Sequence, residues 1–397
     1  MVGISFDQSA VDAVGVEPAP RQVAARPFRI LFDGRKLGHG GIGVYAENLI
    51  AGLVETPGVA VAVAGDPVKI EAYPWAEAVT IVPTQATPYS LNEIFVLGAE
   101  LNAVPCDVFH TPHYVLPFGL QMPTVVTVHD LIQVTQPERF YYPVVAGGLI
   151  RSALRRATRV LTVSAASQRE LCAFARTDRL CRKISIIPNA VDPTFTRPVA
   201  ELGIEGSFNL PSPYLLSVVS MAKPHKGVAP LIEAFAWARE RSIAVSKATL
   251  ALVGYGANGE VIRSLASRYG CSDAVRILGR VTKPELAALY AGARGVVCPS
   301  RAEGFCLPVL EAHAAGTPVV VTPVPAIQEL VTSADVVCDD FSVGALGRGM
   351  MTFLERPEVT FGARGEVIAQ YSRRAVAERA LAVYREAATQ FRREAGR

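Results

Sequence analysis

Pro299-Ser-Arg-Ala-Glu-Gly-Phe-Cys-Leu-Pro-Val-Leu-Glu-Ala-His-Ala-Ala-Gly-Thr-Pro-Val-Val-Val321 is the stretch on which the fold turns. It follows one apolar run, Gly295 to Cys298, and closes on another, Pro318 to Val321. Short continuous runs of this kind read as strands buried on both faces of a parallel sheet. Between them Pro308 stands where proline is favoured, in the first turn of a helix. The backbone N–H groups of Gly304, Phe305, Cys306 and Leu307 then lie at or just before that helix's N-terminus. Unpaired donors and the positive end of the dipole suit phosphate or sugar oxygens there. Glu303 precedes the helix and Glu311 lies inside it. Eight residues at ~1.5 Å each set them roughly 12 Å or more apart. They are too distant to share a proton, but suit the two ends of an extended ligand. Taken alone, the stretch also reads as an ordinary strand–loop–helix with two surface glutamates.

The same rhythm extends in both directions. From Tyr214, strand candidates are Tyr214 to Val219, Thr249 to Val253 and Ala274 to Leu278, with helices between them. An earlier series starts at Phe28 and runs through Val59 to Ala64, Val79 to Val82, Asp107 to His110, Pro123 to Val128, Arg159 to Val163 and Ile184 to Ile187. The segment Asp192 to Pro213, with four prolines, interrupts it and reads as a linker. The expectation is an α/β protein of two doubly wound, Rossmann-like domains facing a deep cleft. The divisions are an extension at 1–27, a first domain at 28–200, a linker at 201–213 and a second domain at 214–370. A closing helix at 371–397 is expected to pack back toward the first domain.

Composition narrows the function classes. The chain has 397 residues, half of them hydrophobic, which supports large cores and excludes whole-chain disorder. No run of 18 uninterrupted apolar residues marks a membrane span. A net charge of +3 gives little overall attraction for nucleic acid, so no nucleic-acid partner is expected. The seven cysteines contain no C-x-x-C pair and match no zinc spacing. They read as free thiols in a reducing cytoplasm.

Three further segments fall at strand ends, where ligands bind in such folds. Lys223 and Lys226, in Lys223-Pro-His-Lys-Gly227, could meet a diphosphate or form a solvated loop. Gly41 and Gly43, in Gly38-His-Gly-Gly-Ile-Gly-Val-Tyr45, allow close backbone approach or simply a tight turn. His129 and Asp130 follow a buried strand, as cleft groups or as a core histidine and a helix cap. His110 and His113 have no metal-ligand spacing, and no metal site is assigned.

In this order the segments resemble retaining glycosyltransferases of the GT-B fold, family 4, most closely the bacterial mannosyltransferase branch. The resemblance runs from about Phe28 to Arg385 and rests chiefly on the E-x7-E pattern of Glu303 to Glu311. It implies a nucleotide diphosphate sugar (GDP- or UDP-linked) as co-substrate, with no required cofactor. The acceptor is a glycan, a lipid-linked sugar or a small molecule. It further implies that Gly41, Gly43, Lys223 and Lys226 meet the diphosphate and that Glu311 holds the ribose. Gly304, Phe305, Cys306 and Leu307 line the donor-sugar pocket, and the main chain at Arg280 and Val281 meets the base. Glu303 sits beside the transferred sugar, and His129 reaches it from the first domain. Asp130 orients His129 or approaches the acceptor. Two positions depart from the pattern. Met221 stands where an Arg is common, leaving Lys223 or His225 to supply the charge. Cys306 stands where Gly is usual, which narrows the sugar pocket.

Other readings are a sugar-nucleotide epimerase and a non-catalytic nucleotide-sugar-binding protein on the same fold. The Arg-rich stretch Arg151 to Lys183 follows the aromatic Phe140-Tyr-Tyr142. It reads as a solvated surface or as a face lying on an anionic membrane. The expected location is cytoplasmic, at the inner face of the membrane if that stretch lies on lipid and free of it if the stretch is solvated.

Overall fold

The computed structural model describes residues 26–202, 208, 210–219, 223–254, 259–357, 361–362 and 364–396. Most of the extension at 1–27, Met221, and much of the 201–213 linker lie outside these residues.

Two parallel sheets organise the chain. The first has seven strands: β1 (Phe28–Asp33), β2 (Val59–Gly65), β3 (Thr80–Pro83), β4 (Val108–Thr111), β5 (Thr124–Thr127), β6 (Arg159–Thr162) and β7 (Ile184–Ile186). Their order is β3-β2-β1-β4-β5-β6-β7. The second has six: β8 (Tyr214–Val218), β9 (Thr249–Val253), β10 (Val275–Gly279), β11 (Gly295–Cys298), β12 (Val319–Val321) and β13 (Val336–Val337), in the order β10-β9-β8-β11-β12-β13. Central strands such as β4, β5, β9 and β11 are buried along their whole length, as continuous apolar runs require. The two-residue edge strand β13 is too short to show in a pattern of hydrophobicity. Both sheets reverse their order next to their first strand, and the carboxyl ends at that switch point are where ligands bind in such folds. This is a GT-B α/β architecture.

The closing helix Arg373–Ala395 lies against the helix Gly40–Val54 that follows β1. Gly52 makes that approach close, since a Cβ there would stand 2.4 Å from the Arg373 carbonyl oxygen. Tyr384, fully buried on the closing helix, bonds through its hydroxyl to His110 Nδ1 at 2.6 Å. His110 Nε2 meets Thr127 Oγ1 at 2.7 Å. His110 is therefore a core histidine joining the closing helix to β4 and β5.

The cysteines correct the expectation of free thiols. Cys172 and Cys181 form a disulfide with Cα atoms 4.9 Å apart, linking the helix Ala165–Ala175 to the short helix Asp178–Cys181. The turn after Arg176, which takes a left-handed conformation at φ 57°, folds the nine-residue interval back on itself. The other five cysteines are free. With this bridge present, cysteine usage no longer argues for a reducing compartment. No helix among the described residues is long and apolar enough to cross a membrane.

Candidate active site

The cleft is lined by loops after β1, β5, β8 and β11. On the second-domain side, Lys226 Nζ lies 2.6 Å from Glu303 Oε1, and Ser300 Oγ donates to the same oxygen at 2.6 Å. Glu303 keeps the Lys226 ammonium above its ordinary pKa against the opposing pull of burial. Gly227 makes this placement possible. It sits at φ 69°, and a Cβ there would be 2.2 Å from the Pro299 carbonyl oxygen. The Lys226 turn and the Glu303 loop are thus packed backbone to backbone. Lys223 is exposed on the same turn, and its charge reaches Asp130 across the cleft. His225 is buried, and desolvation, with Lys226 beside it, lowers its pKa. It is held toward the neutral form, which argues against its replacing an arginine charge.

The helix Leu307–Ala315 begins as its proline foretells, with Cys306 as N-cap. Cys306 adopts φ 84°, a glycine-like conformation that costs a side-chain-bearing residue of order 1–3 kcal/mol. Its thiol is buried, and the neighbouring Cys298 at the end of β11 together with burial pushes its pKa up. The thiol lies within electrostatic reach of both Lys226 and Glu303. Phe305 is also buried, its ring centroid 5.9 Å from that of Tyr371. What this loop offers a ligand is chiefly main chain, together with the half-buried Leu307. Glu311 is buried one turn into the helix and accepts the Tyr290 hydroxyl at 2.9 Å. Burial raises its pKa to about 7. Arg280 is exposed beyond β10, and Val281 packs against the core.

The first domain faces these groups closely. A Cβ on Gly304 would stand 2.5 Å from the His129 carbonyl oxygen and 3.1 Å from Asp130 Cβ. Ser167 Oγ donates to the Gly304 carbonyl at 3.2 Å. His129 Nε2 lies 3.0 Å from the Pro112 carbonyl, which can only accept, so Nε2 carries the proton. Burial lowers the His129 pKa to about 4, leaving a neutral ring with Nδ1 free to accept. Pro112 therefore orients His129, and Asp130 does not. Asp130 instead accepts the Ile132 N–H at 2.9 Å.

Gly41 and Gly43 lie in the first turn of the helix Gly40–Val54, within which Gly41 faces Leu307 across the cleft. The expectation for Gly43 is corrected. Its N–H is already given to the His39 carbonyl at 3.2 Å, and a Cβ would press 2.8 Å from the Lys36 carbonyl. Gly43 closes the turn, while Gly41 stands among the unpaired amides of the helix start.

Sequence reasoning missed several cross-domain contacts. Lys283 Nζ binds Glu47 at 2.6 Å and Asp192 at 2.7 Å. Arg373 binds Asp192 at 2.6 Å and Asn48 at 2.8 Å. Glu329 accepts the N–H groups of Ala165 at 2.8 Å and Ala166 at 2.6 Å, capping a first-domain helix from the second domain. These residues belong to no local motif, and their partners lie 91 to 325 positions away. Asp33, Glu93 and His113 come within 4.8 Å of one another like metal ligands. Arg35 pairs there with Asp33 at 2.6 Å and Glu93 at 2.7 Å, so an internal cation occupies that corner.

Comparison with known proteins agrees with this geometry. The model "Glycosyltransferase Family 4" matches residues 39–195, and "Glycosyl transferases group 1" matches 205–374. The chain belongs to the GT-B glycosyltransferases of the family 4 type. This GT-B chain is 30% identical over 263 residues to O-antigen chain mannosyltransferase B of Escherichia coli, covering 62% of itself and 65% of that protein. It is 31% identical over 245 residues to MMP alpha-(1->4)-mannosyltransferase of Mycolicibacterium hassiacum, covering 59% and 55%. The matched regions thus span less than two thirds of these relatives. Among solved structures, sucrose-phosphate synthase of Thermosynechococcus elongatus shares the fold at a TM-score of 0.71 and 22% identity, over 91% of this chain and 99% of that one. Anabaena Alr3699/HepE, solved with UDP and glucose, does so at 0.71 and 18%, over 90% and 100%.

Proposed function

We propose that the protein is a retaining glycosyltransferase moving a hexose from a nucleotide diphosphate sugar to an acceptor hydroxyl. The observation that carries this reading is the Lys226–Glu303 pair, set beside the Gly304 loop and facing His129 and the Gly41 helix start. The acceptor is a glycan, a lipid-linked sugar or a small molecule. The names of the two mannosyltransferase relatives favour mannose as the first sugar to try, on GDP or UDP.

The chemistry follows from the groups. As the sugar–phosphate bond breaks, negative charge grows on the departing diphosphate. Lys226, Lys223 and the amides at Gly41 are placed to stabilise it. The sugar passes through an oxocarbenium-like state, as in glycoside hydrolysis. Glu303 supports that charge, and neutral His129 accepts a sugar hydroxyl at Nδ1. Glu311 receives the ribose hydroxyls, and the main chain at Arg280 and Val281 meets the base. Attack comes from the face the diphosphate leaves, a phosphate oxygen taking the acceptor proton, with retention of configuration. On this reading the step is assigned to protein groups alone, with no divalent ion. The protein acts at a membrane surface, with the exposed Phe140, Tyr141, Val144 and Val145 next to basic Arg151 as its contact.

A thermal-shift panel with UDP, GDP, ADP and dTDP, each with EDTA or Mg²⁺, tests the donor site. Ligand at about 100 times its dissociation constant adds about 2.7 kcal/mol, a rise of several degrees. One nucleotide should give that rise in EDTA, and NMR of the product should show the donor's anomeric configuration. No shift with any nucleotide would overturn the assignment of the cleft.

A further inference from the structure

At the amino ends of β5, β6 and β7, opposite the cleft, a cavity of about 650 Å³ opens beside the far end of the closing helix. Its wall bears Arg155, Arg156, Arg159, Arg179, Arg182 and Lys183, with Glu394 as the acidic residue among its lining. These cations come from the end of the helix Tyr142–Arg156, the start of β6, and the short helix Asp178–Cys181 with the turn after it. From two short clusters of one Arg-rich stretch, at 155–159 and 179–183, they converge on one concavity.

Only part of this charge is used by the protein. Arg156 donates to the Leu116 carbonyl at 2.9 Å and lies 3.9 Å over the Phe118 ring. Arg159 pairs with Glu386 at 3.0 Å, yet its Nε is buried without a hydrogen-bond partner. Lys183 donates to the Ala157 carbonyl at 2.8 Å and the Arg155 carbonyl at 3.2 Å. Burial, and then the neighbouring Arg179, lower its pKa. Arg155, Arg179 and Arg182 are exposed, and among the described residues their guanidinium groups enter no hydrogen bond or ion pair. The Cys172–Cys181 disulfide fixes the turn bearing Arg179 and Arg182. Glu394 and the Glu386 bound to Arg159 offset only part of the positive charge of this wall, which the disulfide holds as a covalent staple. Guanidinium forks match phosphate oxygens in pairs, and the volume suits a small ligand.

We propose that this cavity is a second binding site, remote from the cleft, that takes a phosphate ester or diphosphate group, either from a soluble molecule or from a lipid headgroup. The assignment does not depend on the reading of the cleft.

The test uses the full chain carrying Lys226→Ala, chosen to weaken diphosphate binding in the cleft. Calorimetry with inorganic pyrophosphate and flotation with phosphatidylglycerol vesicles form its two arms. A triple variant, Arg155→Gln, Arg179→Gln and Arg182→Gln, is added on that background, with its melting temperature checked. Saturable binding in at least one arm, weakened ten-fold or more by the triple variant, is the expected result. Pyrophosphate binding would identify a soluble ligand, and vesicle binding alone a headgroup. No binding in either arm, or binding that the triple variant leaves unchanged, would overturn the proposal. Nucleotide binding by the triple variant with Lys226 restored reports on the cleft separately.

Discussion

Lys226 and Glu303 neutralise each other at 2.6 Å, so each has a different task once a diphosphate enters. Lys226→Ala should weaken nucleotide diphosphate binding at least ten-fold by calorimetry. Glu303→Ala should keep that binding within a few-fold and lower turnover a hundred-fold or more. Equal losses of binding in both would place the diphosphate elsewhere. Glu311 adds a pH signature. Burial holds it at about 7, so it is mostly neutral at pH 6 and ionised at pH 8. Ribose hydroxyls donate best to the ionised form, so nucleotide affinity should rise several-fold between those values. Glu311→Gln should flatten the profile, measured with the nucleotide that binds. The effect on stability runs the other way. Between about 4.5 and about 7 the folded chain holds a proton at Glu311 that the unfolded chain releases, so stability from this group falls as pH rises.

At the level of elements, the loop–helix unit from Glu303 to Ala315 was legible because Pro308 and the flanking Val runs each have one physical meaning. The lysine turn was legible only as a charge. What holds it is Gly227, whose left-handed φ of 69° cannot be read from a Lys-Gly pair. Gly227→Ala meets the Pro299 carbonyl at 2.2 Å and should destabilise the second domain by about 2–4 kcal/mol, or unfold it. A melt within about 1 °C of wild type would show that the turn can shift without cost. Gly43 marks the converse limit. A glycine beside a ligand-binding loop looks like a ligand contact, yet its amide belongs to His39. The Glu329 cap left no trace in local sequence, because only the fold brings its partner near, while the disulfide joins cysteines nine residues apart in a spacing that marks no known motif.

Across the whole molecule, two buried histidines tie stability to pH. His110 is held at about 3 and His129 at about 4, both chiefly by burial. Below pH 6.5 the unfolded chain takes up protons that these rings refuse, so stability falls on acidification, by up to about 1.4 kcal/mol per pH unit for each fully buried group. Glu311 opposes with the reverse sign over part of that window. Two groups outweigh one, and calorimetry should show the melting temperature dropping by several degrees between pH 6.5 and 4.5. A flat profile would mean that the rings are solvated. Two domains, their order and the facing cleft were readable from alternating apolar runs. The network of Lys283, Asp192, Arg373 and Glu47 that joins them was not, since charges scattered along a chain show no pairing until it folds.

The closing helix bears on how the protein is made. Tyr384 completes a hydrogen-bond chain with His110 and Thr127 inside the first sheet, but roughly 190 residues separate the end of β7 from Arg373. At about 5–20 residues per second, the ribosome needs on the order of 10–40 s to cover that distance. During that time the first sheet is present without the helix that covers Gly52 and Tyr45. The nascent chain must therefore carry an incomplete amino-terminal half through the synthesis of the whole second domain, and chaperone dependence should be greatest in that interval.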